Sequence, residues 1–142
     1  MKLEFELVPD GCWGSNLRTA LPKEAWAVIR KSVLKRANGI CSVCGAKSSR
    51  LEAHEGWDYD AERGVQKLRD IVALCPLCHS VVHIGRTQLV GDIKRAEEHF
   101  MRVNEVSYSE YRKALGEANK RHQELNKVGE WRLDISALNE II

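Results

Sequence analysis

Four of the five cysteines form two pairs of identical spacing, Cys41 with Cys44 and Cys75 with Cys78. A C-x-x-C pair can turn two thiolates inward from one tight loop, so two pairs supply the four sulfurs of a tetrahedral Zn²⁺ site. The N-terminus alternates with acids and lacks the apolar core of a secretory signal, so we expect an intracellular protein with reduced thiols. The spacing therefore predicts a structural zinc site, with disulfide pairing as the alternative.

Two histidines follow the second cysteine pair at once, His79 directly after it and His83 four residues later. On a helix this spacing places both imidazoles on one face, about one turn apart. Four sulfurs already complete a zinc site, so neither imidazole is needed there. We therefore expect a second, working metal site beside the structural one. Packing of both rings against the zinc-bearing helix is the alternative.

Charge is unevenly distributed along the chain, although the formal net charge is only +2. Basic residues dominate positions 18–50, acidic residues dominate 51–64, and basic residues dominate again after that. A helix is predicted over residues 22–37, and its polar face carries Arg30, Lys31 and Lys35. An acidic pocket between basic flanks favours a metal-dependent enzyme that acts on a polyanion, with this helix face binding nucleic acid. A merely solvated helix face is the alternative.

The length of 142 residues, with 44% hydrophobic and 30% charged residues, predicts one globular domain of the α+β class over residues 1–142. No apolar run approaches the roughly 18 residues of a membrane span, so no membrane association is expected. Periodicity and turn residues predict the following elements: a strand over 3–7, the helix over 22–37, a hairpin over 51–60 and 65–74, a short helix through the histidine pair to about 86, a helix from 92, the longest helix over 108–128, and a last strand over 131–135 that pairs with the first.

The order of these motifs is itself distinctive. It runs from Cys41-Ser-Val-Cys-Gly through Leu51-Glu-Ala-His54-Glu to the segment 73–83, which holds the second cysteine pair and the histidine pair. Over residues 41–86 this order resembles the HNH endonuclease family, in its zinc-containing ββα-metal branch. The resemblance implies a small zinc-knuckle core made of a hairpin and a short helix. A basic helix precedes that core, and the helical extension over 92–128 would offer a surface to a partner.

The resemblance also implies a catalytic metal site, with Mg²⁺, Mn²⁺ or Ni²⁺ held by His54, His79 and His83. Glu55 then occupies the position of the general base, where the family has histidine, and Asp70 occupies that of the family's asparagine. A glutamate can accept a proton from water, although its usual pKa near 4.3 makes it a weaker base than imidazole. In an alternative register His54 is the base, but the ligand position then falls on Ala53, which cannot bind a metal.

These inferences predict a divalent-metal-dependent endonuclease that hydrolyses phosphodiester bonds of nucleic acid, with double-stranded DNA as the expected partner. The alternative is a catalytically degenerate zinc module that binds nucleic acid or a partner protein, since two residues of the family's motif are replaced. Three further residues with metal-binding side chains, Cys12, His99 and His122, are expected to have only structural roles.

Overall fold

The computed structural model describes residues 1–141, which form an α+β fold with helices on both faces of a three-stranded sheet of order β1-β2-β3. The strands are β1 (Glu52–Asp60), β2 (Val65–Leu74) and β3 (Arg132–Asp134). The helices are α1 (Leu17–Ala20), α2 (Lys23–Ala37), α3 (Pro76–Val82), α4 (Ile84–Val90), α5 (Ile93–Asn104), α6 (Tyr108–Leu125) and α7 (Leu138–Ile141). No helix within residues 1–141 combines the length and the apolar character that a membrane span requires.

The predicted hairpin is confirmed, because β1 and β2 pair in antiparallel fashion with His54 opposite Val72. Gly64 lies in the turn with a φ of 65°, and the carbonyl of Glu130 lies where a side chain at this position would have to go. A residue other than glycine would therefore be both strained and crowded here. The pairing register shifts between Gly56 and Trp57, which marks a bulge in the middle of the hairpin.

The two faces of the hairpin pack against different helices, because side chains alternate between the faces along a strand. On one face Trp57, Leu68 and Ile71 are buried against the apolar side of α2. On the other face Val72 and Leu74 pack in a cluster that includes residues of α3, α5 and α6. This alternation places His54 on the α3 face of the sheet and Glu55 on the α2 face.

Helix α2 follows its sequence signals closely. Pro22 is its N-cap, and Asn38 ends it in the left-handed conformation with a φ of 51°. Its apolar stripe is buried against the sheet and consists of Trp26, Ile29 and Val33. The basic residues of the opposite face, Arg30, Lys31 and Lys35, are exposed.

The prediction of a strand over residues 3–7 is wrong, because this segment forms no backbone ladder. Instead, the side chain of Asn104 makes two hydrogen bonds to the backbone of Leu3. Its Oδ1 accepts from the Leu3 N–H at 3.0 Å, and its Nδ2 donates to the Leu3 carbonyl at 2.8 Å. Further along, the N–H of Glu6 donates to the carbonyl of Val82 at 2.8 Å. The expected partner, β3, pairs in parallel with β2. The alternating pattern thus reflects burial of apolar side chains rather than strand pairing.

The single short helix predicted through both histidines is divided at His83 into α3 and α4. The backbone N–H of His83 still donates to the carbonyl of His79, at 3.1 Å. The expected separation of one turn between the two imidazoles is therefore kept. The longest helix, α6, ends at Leu125, three residues earlier than its predicted end.

Candidate metal centre

The four paired cysteines lie together, and their sulfur atoms are all within 4.8 Å of one another. Between the two pairs, the sulfurs of Cys44 and Cys75 are 3.7 Å apart. Zinc–sulfur bonds of about 2.3 Å in a tetrahedron give a sulfur–sulfur edge of about 3.8 Å. Each of the five cysteines is a free thiol, and none of them forms a disulfide within residues 1–141. This cluster can hold a metal ion, and its donor set is compatible with structural zinc.

The loops that carry the cysteines direct backbone N–H groups toward the sulfurs. At the second pair, Cys75 is the N-cap of α3, and its sulfur accepts from the N–H of Cys78 at 3.4 Å. At the first pair, burial disfavours ionisation of Cys41, yet backbone N–H groups, those of Cys44 and Cys75 foremost, outweigh it and lower its pKa to about 7. At Cys41 the backbone therefore favours the thiolate, the form that binds metals, whereas burial raises the pKa of Cys75 and of Cys78.

His99, on α5, touches this cluster, although the sequence suggested only a structural role for it. Its Nε2 lies 3.1 Å from the sulfur of Cys78, and its Nδ1 lies 2.8 Å from the guanidinium of Arg102. A guanidinium can only donate, so Nδ1 accepts and Nε2 carries the proton that points at the sulfur. One sequence signal could have indicated this contact: His99 falls on the buried stripe of an amphipathic helix, where a polar side chain needs a hydrogen-bond partner.

Replacing His99 with phenylalanine keeps the ring and removes the hydrogen bond to Cys78. We expect the metal to leave the cysteine cluster about 10–100-fold faster, the usual cost of losing a partner that orients a ligand. Release of zinc to a chromogenic chelator measures this rate. The control is His122→Phe, since His122 binds the carbonyl of Val8 at 3.1 Å and lies outside the cluster. Equal release rates in the two variants would contradict the role of His99.

Three histidines form a second cluster beside the first, with His54 from β1, His79 from α3 and His83 from the junction of α3 and α4. One ring nitrogen of each lies within 4.8 Å of the other two. The ring centroids are 4.7 to 5.6 Å apart, each pair edge to face. Burial and the neighbouring cationic groups lower the pKa of His83 to about 3, and burial also lowers that of His79. Both rings are therefore neutral at neutral pH, which leaves lone pairs for a cation.

Two carboxylates hold two of these rings from outside the cluster. The Oε2 of Glu6 lies 3.0 Å from Nε2 of His54, and the Oε2 of Glu52 lies 2.6 Å from Nδ1 of His79. The acidic run was the only sequence signal at Glu52, and no sequence signal singled out Glu6. No local spacing marks Glu6, because 48 residues separate it from His54.

Glu55 and Asp70 are placed differently from the histidines. Glu55 extends from the opposite face of β1 to His54, but β1 is an edge strand, and Glu55 still lines the groove of the three rings. Its Oε1 accepts from the backbone N–H of Leu17 at 2.6 Å, and burial raises its pKa. Asp70 lies on the His54 face of the sheet, above Gly56, and pairs with Arg69 at 3.5 Å. The histidines thus form one cluster, while each of these two acids is already engaged by another group.

The groove that opens onto the histidines has a volume of about 710 Å³. Trp13, which is 71% exposed, and the exposed Arg86 lie along it. The basic face of α2 lies elsewhere, because α2 packs on the opposite face of the sheet from His54. The structure therefore separates the predicted phosphate-binding helix from the histidine cluster by the thickness of the sheet.

No family model, curated protein or solved structure matches this chain.

Proposed function

We propose that the protein is a divalent-metal-dependent endonuclease of the HNH type that hydrolyses phosphodiester bonds in DNA. The observation that supports this most directly is the pair of adjacent clusters, one of four cysteines and one of three histidines. A cluster of four thiolates has no open position for a substrate, whereas three imidazoles leave positions for water and phosphate oxygen. The histidine cluster also opens onto a groove, as a site of reaction must.

We assign zinc to the cysteine cluster as a structural ion. Its thiolates come from the end of β2, the start of α3 and the loop before β1. The backbone N–H of Ser42 donates to the carbonyl of Ala73 at 2.9 Å, which ties that loop to β2. An ion at this junction would hold α3 against the hairpin. It would thereby keep His79 and His83 opposite His54.

The histidine cluster would bind the cation that takes part in hydrolysis. A divalent cation polarises a phosphate and stabilises charge that develops on the leaving oxygen. Glu55 lies on the same groove, held by the N–H of Leu17, and burial raises its pKa. A raised pKa strengthens a carboxylate as a proton acceptor, so Glu55 is our candidate for the base that deprotonates water. Arg86, an exposed residue of the groove, would bind a phosphate of the substrate.

The exposed face of α2 would serve a different part of the substrate. Arg30, Lys31 and Lys35 offer three positive charges that phosphates of duplex DNA can bind. Since this face lies across the sheet from the histidines, it would hold a stretch of duplex away from the cleaved bond. It would contribute affinity without contributing to the reaction.

One observation favours the alternative of a non-catalytic zinc module that binds nucleic acid. The carboxylate of Glu55 already accepts a short hydrogen bond of 2.6 Å from Leu17. A base that is committed to holding α1 in place would be a poor proton acceptor. On this alternative the histidine cluster would still bind cations, but no hydrolysis would follow.

Incubation of zinc-loaded protein with supercoiled plasmid separates the two functions. We expect nicked and linear DNA to form with Mg²⁺, Mn²⁺ or Ni²⁺, and cleavage to stop when a chelator removes the added cation. Gel electrophoresis of the plasmid measures both products. Binding of plasmid without cleavage, under all three cations, would support the non-catalytic module and reject the nuclease.

A further inference from the structure

The two carboxylates that hold the histidine cluster from outside carry a further inference, which rests on the proposed cation site. Glu6 reaches His54 from the N-terminal segment, and its own backbone N–H is fixed to Val82 at the end of α3. Its side chain is 13% exposed, so the contact is largely shielded from solvent. Glu52 reaches His79 from the first position of β1. The two contacts use opposite ring nitrogens, Nε2 of His54 and Nδ1 of His79.

A carboxylate accepts hydrogen bonds and does not donate them, so each contacted nitrogen must carry the proton. A neutral imidazole has one proton, and its other nitrogen then has the free lone pair that a cation needs. The pairing with Glu6 therefore leaves Nδ1 of His54 as its ligand atom. The pairing with Glu52 leaves Nε2 of His79. The carboxylates thus select one of two tautomers at each ring.

We propose that Glu6 and Glu52 are positioning residues, which fix His54 and His79 in the tautomers and orientations that bind the catalytic cation. A carboxylate behind a ligating imidazole also makes the imidazole a stronger electron donor. Loss of such a partner typically weakens metal binding about 10–100-fold. The N-terminal segment is therefore part of the cation site, although it supplies no ligand to it.

Titration of zinc-loaded protein with Mn²⁺ tests this role, with free Mn²⁺ followed by its electron paramagnetic resonance signal. Mn²⁺ is suitable because it is a hard cation that does not compete with zinc for the soft thiolates of the cysteine cluster. We expect Glu6→Ala and Glu52→Ala each to weaken Mn²⁺ binding about 10–100-fold. Glu6→Gln should stay within a few-fold of the unmodified protein, because its amide oxygen still accepts the Nε2 proton. The control is Glu4→Ala, an exposed acid on the same segment.

The results separate positioning from direct ligation. If Glu6→Gln lost as much affinity as Glu6→Ala, the carboxylate would itself bind the cation and the proposal would fail. Unchanged affinity in Glu6→Ala would also overturn it. Nitrogen-15 NMR of the histidine rings without added Mn²⁺ is the second measurement, with the proton expected on Nε2 of His54 and on Nδ1 of His79. The opposite tautomers would reject the proposal whether or not the protein cleaves DNA, and normal tautomers without plasmid cleavage would reject only the nuclease.

Discussion

Replacing Cys78 with serine is expected to remove the metal from the cysteine cluster and to unfold the centre of the protein. Cys78 lies on α3, where it is fully buried and contacts His99 of α5, and its sulfur belongs to the cluster that joins the loop of Cys41 and Cys44 to α3. The apparent binding free energy of a structural zinc is about 10–16 kcal/mol, comparable with the whole stability of a domain. Elemental analysis should find one zinc per chain in the unmodified protein and none in the variant, whose circular dichroism should show lost structure.

The matched control for this prediction is Cys12→Ser. Cys12 is also buried, at 1% exposure, but it lies outside the four-cysteine cluster. This variant should keep its zinc and lose only the modest stability that a buried polar substitution costs. A Cys78→Ser variant that folds as well as Cys12→Ser would show that the cluster is not a structural metal site.

Replacing His54 with alanine should abolish cleavage while the fold, the zinc and the affinity for DNA survive. His54 lies outside the sulfur cluster, and the exposed basic face of α2 is on the other side of the sheet. A ligand in direct contact with the cation should cost more than the roughly 100-fold upper range for its supporting partners. Plasmid cleavage, circular dichroism, zinc content and DNA binding by fluorescence anisotropy measure the four properties on one preparation.

Gln123→Ala is the control for this variant, because Gln123 is exposed and lies outside both clusters and outside the groove. It should cleave at the rate of the unmodified protein. Cleavage by His54→Ala at that same rate would mean that the histidine cluster is not the site of hydrolysis. Loss of zinc from His54→Ala would mean that the two clusters depend on each other, contrary to their separate positions.

The sequence predicted those parts of the structure that depend on short separations along the chain. A C-x-x-C pair, two histidines four residues apart and a hairpin with a glycine turn are all encoded locally. The structure brings His79 and His83 together as their spacing suggests, and it adds His54, which only the family resemblance implied. The α+β class also follows from local periodicity, and it is confirmed.

What the sequence did not predict depends on tertiary contacts. His99 reaches Cys78 across 21 residues and Glu6 reaches His54 across 48, and neither contact leaves a periodic signal. The alternation of Leu3, Phe5 and Leu7 predicted a strand, because alternate burial looks the same whether or not the backbone has a ladder partner. The parallel pairing of β3 with β2 was missed for the same reason.

The two hydrogen bonds between Asn104 and the backbone of Leu3 affect the order in which the protein folds during translation. The contact spans 101 residues, whereas the cysteines and histidines of both clusters fall within residues 41–83. Closing a longer loop costs more chain entropy, so contacts of long range form after local ones. A ribosome delivers all four thiols well before it delivers Asn104. The cysteine cluster can therefore take up its metal on a partly made chain, whereas the backbone of Leu3 is fixed only when α5 has emerged and docked.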